Sequence, residues 1–175
     1  MRIMKENFYG VFETSDLSQS QSTDSSWFLQ DLEETIALGK SLTQKIPDLK
    51  LLLLEGPLGA GKTSLVKGIA ISLGINEPIT SPTFPLAQHY PSEKTPLFHL
   101  DLYRLEAHEA ANELFIQEEE EAADLDALMV VEWPERLNLN MPEAWRLKLS
   151  HHNDEGRLAQ LFSPRCPESN AATSS

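Results

Sequence analysis

The alternation of apolar and polar positions divides the middle of the chain into helical segments and short apolar runs. Helices are predicted over Leu29–Lys45 and Lys62–Leu73, because leucine, isoleucine and valine recur there at three- and four-residue spacing. A third helix is predicted over Ala107–Phe115, and its acidic continuation extends to about Asp126. The apolar runs predict strands at four positions: Leu51–Leu54, Leu86–Tyr90, Leu97–Leu102 and Leu128–Val131.

Strands that are separated by helices indicate an α/β fold, with a mostly parallel sheet and helices on both faces. The segment from Trp145 to Leu161 differs, because it contains two alternating runs around the turn residues Asp154-Glu155-Gly156. That pattern predicts an antiparallel hairpin at the C-terminal edge of the sheet.

The composition of the two ends limits the folded domain. Residues 13–26 are rich in Ser, Gln, Asp and Thr, and residues 167–175 form another polar tail. Such segments cannot bury enough apolar surface to offset the entropy of ordering them. We therefore predict a single domain over residues 27–163, with disordered segments at 1–26 and 164–175.

The charge balance argues against direct binding of nucleic acid. The chain has 175 residues, with 14 Lys and Arg against 27 Asp and Glu, and a formal net charge of −13. A protein that binds the phosphate backbone of a nucleic acid needs clustered Lys and Arg side chains, which this composition does not favour. The acidic run Glu118–Glu121 is expected to be a solvated helix face, with binding of a partner as the alternative.

Several features bear on the compartment. Cys166 is the single cysteine, so no intramolecular disulfide can form, which fits a reducing environment. The N-terminus lacks the apolar core of a signal peptide, and no apolar run approaches the ~20 residues of a membrane span. We expect a soluble, cytoplasmic protein that does not contact a membrane.

The strongest chemical signal is GPLGAGKT at residues 56–63, between a predicted strand and a predicted helix. It fits the phosphate-binding pattern G-x-x-x-x-G-K-T, so the fold is expected to be P-loop NTPase-like. Glycines let the loop N–H groups turn toward phosphate oxygens, and the helix directs its positive end at them. Lys62 would reach the β- and γ-phosphates, and the Thr63 hydroxyl would ligate Mg²⁺. The predicted nucleotide contacts in this segment are Gly56, Leu58, Gly59, Ala60, Gly61, Lys62, Thr63 and Ser64.

Two carboxylates follow apolar runs, as Asp101 ends LFHLD and Glu132 ends LMVVE. Ligands of open α/β sheets bind at the carboxyl ends of the strands, so both acids are expected near the loop. There they could hold Mg²⁺ or orient a water molecule, and the pattern leaves open which acid does which. His99 shares a strand face with Asp101, either as a packing residue or as a group of the phosphate site.

Four motifs occur in an order that resembles the TsaE (YjeE) family of bacterial tRNA threonylcarbamoyladenosine synthesis: GPLGAGKT at 56–63, TSPTF at 80–84, HLDLYRL at 99–105 and VEWPE at 131–135. The resemblance implies a P-loop ATPase that uses ATP and Mg²⁺ and acts with the proteins TsaB and TsaD. The modification implied is threonylcarbamoylation of N6 of adenosine 37 in tRNAs that read codons starting with A. This chain would meet tRNA only indirectly, through its partners.

The resemblance also implies roles for single residues. Thr63 and Glu132 would ligate Mg²⁺. Asp101 would orient or deprotonate the attacking water, although its position also makes it a candidate metal ligand. Lys62, Asp101 and Glu132 would therefore form the catalytic group. The further nucleotide contacts implied are Thr83 and Trp133.

Two other functions are compatible with the loop and the strand-end acids. A small-molecule phosphotransferase would use the same groups, but it normally needs an arginine-bearing lid over the acceptor. A nucleotide-gated adaptor would bind ATP to change its own conformation, and ATP hydrolysis would be incidental to that role.

Overall fold

A computed structural model describes residues 24–82, 84, 86–152 and 156–165. The helices are α1 (Leu32–Lys45), α2 (Lys62–Ser72) and α3 (His108–Asp124), and a short 3-10 helix covers Pro134–Arg136. The strands are β1 (Ser25–Leu29), β2 (Leu51–Glu55), β3 (Ala87–Tyr90), β4 (Leu97–Asp101), β5 (Leu128–Glu132), β6 (Trp145–His151) and β7 (Arg157–Phe162). Within these residues, no helix has the length and apolarity needed to cross a membrane.

The described strands form one sheet in the order β1-β7-β6-β2-β5-β4-β3. Neighbours from β6 through β2 and β5 to β4 run parallel, whereas β1, β7 and β3 pair antiparallel with their neighbours. The prediction of an α/β fold with a mostly parallel core is therefore confirmed. The predicted hairpin also forms, from β6 and β7, but β1 lies outside it at the edge of the sheet.

The sequence pattern does not predict the first strand, because Ser25 and Ser26 fall in the polar segment expected to be disordered and Leu29 fits the start of the predicted helix. Leu29 does not begin α1; it ends β1, where it is buried and pairs with Arg157. The helix begins at Leu32, after Asp31 accepts a hydrogen bond from the Glu34 N–H at 2.8 Å as its N-cap. Ser25 and Ser26 thus lie in a paired strand, and residues 1–23 and 166–175 of the predicted disordered segments are outside the described residues.

Both faces of the sheet are covered, as predicted. Leu52 and Leu54 of β2 belong to the core that contains α1 and α2, whereas Leu51 and Leu53 belong to the core that contains α3. The LLLL run therefore reflects burial on two sides, which is usual for a central parallel strand.

The helices α1 and α2 pack closely enough to require glycine at their contact. A β-carbon added to Gly68 would lie 2.0 Å from the carbonyl oxygen of Ile36, well inside van der Waals contact. This backbone-to-backbone approach fixes α2 against α1 and so positions the loop that precedes α2.

The acidic run of α3 is only partly solvated, which corrects the prediction for Glu118. Glu118 is buried with 7% of its surface exposed, and its carboxylate pairs with His89 at 2.5 Å. The His89 ring stacks on Phe98, with 3.8 Å between centroids. Glu119, Glu120 and Glu121 are exposed. Glu118 is therefore the one residue of the run that the helical period turns toward the sheet.

Candidate functional site

The segment 56–61 joins the carboxyl end of β2 to the N-terminus of α2, as the sequence predicts for a phosphate loop. Gly56 and Gly61 have φ of +140° and +101°, in the region that L-residues with a β-carbon rarely adopt. Gly61 is also the N-cap of α2, and no side chain caps this helix. The first-turn N–H groups therefore remain available to an anion.

The other predicted loop residues surround this turn in different environments. Leu58 is 71% exposed at the tip, next to the exposed Gly59. Ala60 is fully buried, and its N–H donates to the Pro57 carbonyl at 3.2 Å. Ser64 is half-buried in the first turn of α2. The geometry fits a phosphate cradle, and the individual nucleotide contacts stay predictions.

The Lys62 side chain lies back over the loop. Its ammonium is buried and donates to the carbonyls of Gly56 at 2.7 Å and Pro57 at 3.1 Å. Burial lowers the pKa of Lys62 below its ordinary value, and the negative charges of Glu132, Glu135 and Asp101 partly oppose that shift. The carboxylates thus help to keep a buried cation at the head of α2.

Trp133 covers this lysine in an unusual backbone conformation. Its φ of +61° is left-handed, which is uncommon for a bulky residue, and it precedes the 3-10 helix. The Lys62 ammonium lies 4.0 Å from the Trp133 ring centroid, and Tyr103 packs on the same ring at 4.8 Å. Such outliers cluster at functional sites, and here the conformation brings an aromatic face over the cation.

Glu132 is held by two donors on one oxygen. Its Oε1 accepts hydrogen bonds from the Thr63 hydroxyl at 2.9 Å and from His99 Nε2 at 2.9 Å. Glu132 is 3% exposed and His99 is fully buried. Because a carboxylate only accepts, His99 Nε2 carries a proton, and the buried Nδ1 has no partner among the described residues. His99 therefore orients Glu132 rather than serving only as packing.

Asp101 lies beside Glu132 but has separate partners. The two residues pair in the parallel register of β4 and β5. Asp101 is 5% exposed; its Oδ2 accepts from the Ser81 hydroxyl at 2.5 Å and its Oδ1 from the Tyr103 N–H at 3.0 Å. The structure thus brings both acids to the loop, and the division of roles between them stays a prediction.

The donor set suits Mg²⁺ and a polyphosphate. Thr63, Glu132 and Asp101 offer hydroxyl and carboxylate oxygens, the ligands that this hard cation prefers. The uncapped N-terminus of α2 and the Lys62 ammonium offer positive potential beside them. The residues present therefore fit both groups.

Not every predicted residue can be located, and sequence reasoning missed others. Thr83 lies outside the described residues. The role of Ser81 in holding Asp101 was not anticipated, since a loop serine carries no distinctive signal. Tyr103 could have been found from its two-residue spacing after Asp101. Arg104 lies over the ring of the exposed Phe84, at 4.5 Å from its centroid.

Comparisons with known proteins agree with this geometry. A family model described as "Threonylcarbamoyl adenosine biosynthesis protein TsaE" matches residues 29–159. A Nostoc sp. protein named "tRNA threonylcarbamoyladenosine biosynthesis protein TsaE" is 40% identical over 140 residues, which cover 79% of this chain and 86% of that one. A protein of the same name from Synechocystis sp. is 46% identical over 112 residues, covering 63% of this chain and 71% of that one. The crystal structure of Bacillus subtilis YdiB superimposes with a TM-score of 0.63 at 28% identity, covering 83% of this chain and 89% of that one.

Proposed function

The chain belongs to the TsaE family of threonylcarbamoyl adenosine biosynthesis proteins, and we propose that it is a Mg²⁺-dependent ATPase that supports a TsaB–TsaD complex. That complex would threonylcarbamoylate N6 of adenosine 37 in tRNAs that read codons starting with A. The observation that carries the proposal is the 2.9 Å hydrogen bond between Thr63 and Glu132, at the head of α2 and beside buried Lys62. The net charge of −13 supports a protein that meets tRNA only through its partners. The single cysteine fits a cytoplasmic location, which is part of the proposal.

Binding would use groups that the fold already holds in place. The loop and the first turn of α2 present N–H groups to the phosphates. Thr63 and Glu132 would hold Mg²⁺, which when bound neutralises charge on the β- and γ-phosphate oxygens. Lys62 would exchange its bonds to the Gly56 and Pro57 carbonyls for phosphate oxygens, which are stronger acceptors because they are charged.

Asp101 is our choice for orienting the attacking water. Each of its oxygens already accepts one hydrogen bond, from Ser81 and from the Tyr103 N–H, which fixes the carboxylate plane. A carboxylate oxygen has a second lone pair, so each can still accept from water. Trp133 and Tyr103 form an apolar wall that would restrict other water near Lys62.

The test is ATP hydrolysis by the purified chain, measured with and without purified TsaB and TsaD. We expect weak turnover alone and faster turnover with the partners. Glu132→Gln and Asp101→Asn should each lower turnover in the complex by about 100-fold or more, as for loss of a positioned acid–base or metal-binding group. The matched controls Glu93→Gln and Asp48→Asn remove exposed acids that precede β4 and β2, at the end of the sheet away from the loop, and should leave turnover unchanged.

Two outcomes would redirect the proposal. Transfer of the γ-phosphate to a metabolite, instead of release as free phosphate, would favour a phosphotransferase. An Asp101→Asn variant that binds ATP, does not hydrolyse it and still supports tRNA modification would favour an adaptor. A turnover that is independent of TsaB and TsaD, with no complex formed, would contradict the assigned partners.

A further inference from the structure

His89 meets two carboxylates of α3 at the β3 edge of the sheet. Its Nε2 is 2.5 Å from Glu118 Oε2, and its Nδ1 is 3.8 Å from Glu121 Oε1. Each of the three side chains has a nitrogen or oxygen atom within 4.8 Å of such an atom of the other two. The group is separate from the phosphate loop, because β5 and β4 lie between β2 and β3.

The fold brings these side chains together from two elements. Glu118 and Glu121 are three residues apart on α3, so they are neighbours on the helix surface. His89 pairs with Phe98 in the antiparallel register of β3 and β4, and the two rings stack with 3.8 Å between centroids. Phe98 is 1% exposed and belongs to the core that contains α3. The stacking therefore holds the His89 ring on the face of the sheet that α3 covers.

The hydrogen bond to Glu118 determines which nitrogen of His89 is free for a ligand. The Glu118 carboxylate only accepts hydrogen bonds, so Nε2 carries a proton. A histidine that ligates a metal usually donates its other N–H to a carboxylate, which fixes its tautomer and its orientation. Nδ1 is then the ligating nitrogen, at 3.8 Å from Glu121. That separation is too long for a hydrogen bond, but it fits two ligands of one zinc ion, whose bonds are each about 2.0–2.2 Å long.

No Lys or Arg pairs with the two carboxylates in the part of the chain that the structure describes. The ion pairs found for Glu118 and Glu121 are both with His89. Two carboxylates around one imidazole suit a divalent cation, and the nitrogen ligand favours Zn²⁺ over Mg²⁺, which prefers oxygen ligands. We propose that His89 and Glu121 bind a divalent transition-metal ion such as Zn²⁺, with Glu118 orienting the histidine through Nε2.

A bound ion would fasten the edge strand β3 to α3. This strand has four residues and pairs with β4 alone in the described sheet. The carbonyl of Leu86, just before β3, accepts a hydrogen bond from the Asp101 N–H at 2.9 Å. The ion would therefore stabilise a strand whose start is tied to a residue of the proposed ATPase site, without ligating any group of that site.

Isothermal titration calorimetry of Zn²⁺ into the metal-free full chain, in buffer with excess Mg²⁺, tests the site. His89→Gln and Glu121→Gln should each raise the Kd for Zn²⁺ by about 10-fold or more, since even the loss of an outer partner of a metal site costs about that much. The matched control is Glu120→Gln, which removes the exposed glutamate next to Glu121 and should bind Zn²⁺ like the parent chain.

Urea unfolding with and without Zn²⁺ gives a second readout. An ion that binds the folded chain stabilises it, so Zn²⁺ should raise the midpoint of the parent chain and of Glu120→Gln but not of Glu121→Gln. The Glu121 side chain is 51% exposed, so this variant should fold even if His89→Gln does not. Absence of Zn²⁺ binding by the parent chain, or equal Kd values and midpoint shifts in the parent chain and Glu121→Gln, would overturn the inference and leave the ATPase proposal intact.

Discussion

Gly68→Ala should destabilise the protein, although alanine is the better helix former. The added β-carbon would lie 2.0 Å from the Ile36 carbonyl oxygen and 2.8 Å from the Lys40 nitrogen. Contacts below 3.0 Å force movement, so α1 and α2 would have to separate by about 1 Å. Helix propensity favours alanine by about 1 kcal/mol, whereas overpacking costs about 3 kcal/mol when the added β-carbon meets backbone that cannot rotate away. The net loss in the free energy of unfolding should be about 2 kcal/mol.

Urea unfolding followed by circular dichroism would measure this loss. The midpoint should fall without a change in the m-value, because the surface exposed on unfolding is almost the same in both proteins. Lys67→Ala is the control, since this exposed position on α2 should change stability by less than about 0.5 kcal/mol. A Gly68→Ala protein that is more stable by about 1 kcal/mol would show that propensity alone operates and that the helices are not in backbone contact.

Three further predictions concern the buried polar contacts. His99→Leu leaves Glu132 without one of its two hydrogen-bond donors, so the free energy of unfolding measured in urea should fall by about 1–3 kcal/mol. His99→Gln should recover part of that loss, and equal losses in both variants would contradict a hydrogen-bonding role. Trp133→Phe should remove the change in intrinsic fluorescence on ATP addition, and a change that persists would assign the signal to another tryptophan. His89→Leu should lower the free energy of unfolding by about 1–3 kcal/mol, because buried Glu118 loses its hydrogen-bond partner. Limited proteolysis should then cleave the variant first near β3, and unchanged urea and proteolysis profiles would contradict the pairing.

The parts of the fold that could be predicted are those encoded by local patterns. Examples are the LLLL run of β2, the glycine-rich loop and the apolar face of α2. Each is marked by its own residue pattern, and residues typical of an element boundary show where that pattern ends. The strand-end acids could be predicted because parallel strands bring their carboxyl ends to one edge, a rule that needs no knowledge of strand order. Asp101 and Glu132 meet that expectation by pairing in register.

The parts that could not be predicted depend on pairing between distant segments. Leu29 fits a helical period as well as a strand, and only its pairing with Arg157 decides between them. The inward position of Glu118 depends on which face of α3 meets the sheet, and a run of four glutamates does not mark one of them as buried. Arg157 carries no motif, and its place beside Gly61 follows from β7 lying antiparallel to β6.

The hydrogen bonds around Glu132 indicate where nucleotide binding would change the site. Thr63 and His99 both donate to Oε1, whereas Oε2 accepts no hydrogen bond from the described residues. Glu132 can thus offer a free oxygen to Mg²⁺ without losing either donor, and the Thr63 oxygen keeps lone pairs for the same purpose. Lys62 differs, because its ammonium must release two carbonyls and slide under Trp133 to reach a phosphate. The rearrangement on binding should therefore concentrate at Lys62 and Trp133, while the side proposed to bind Mg²⁺ is organised beforehand by the strands that carry it.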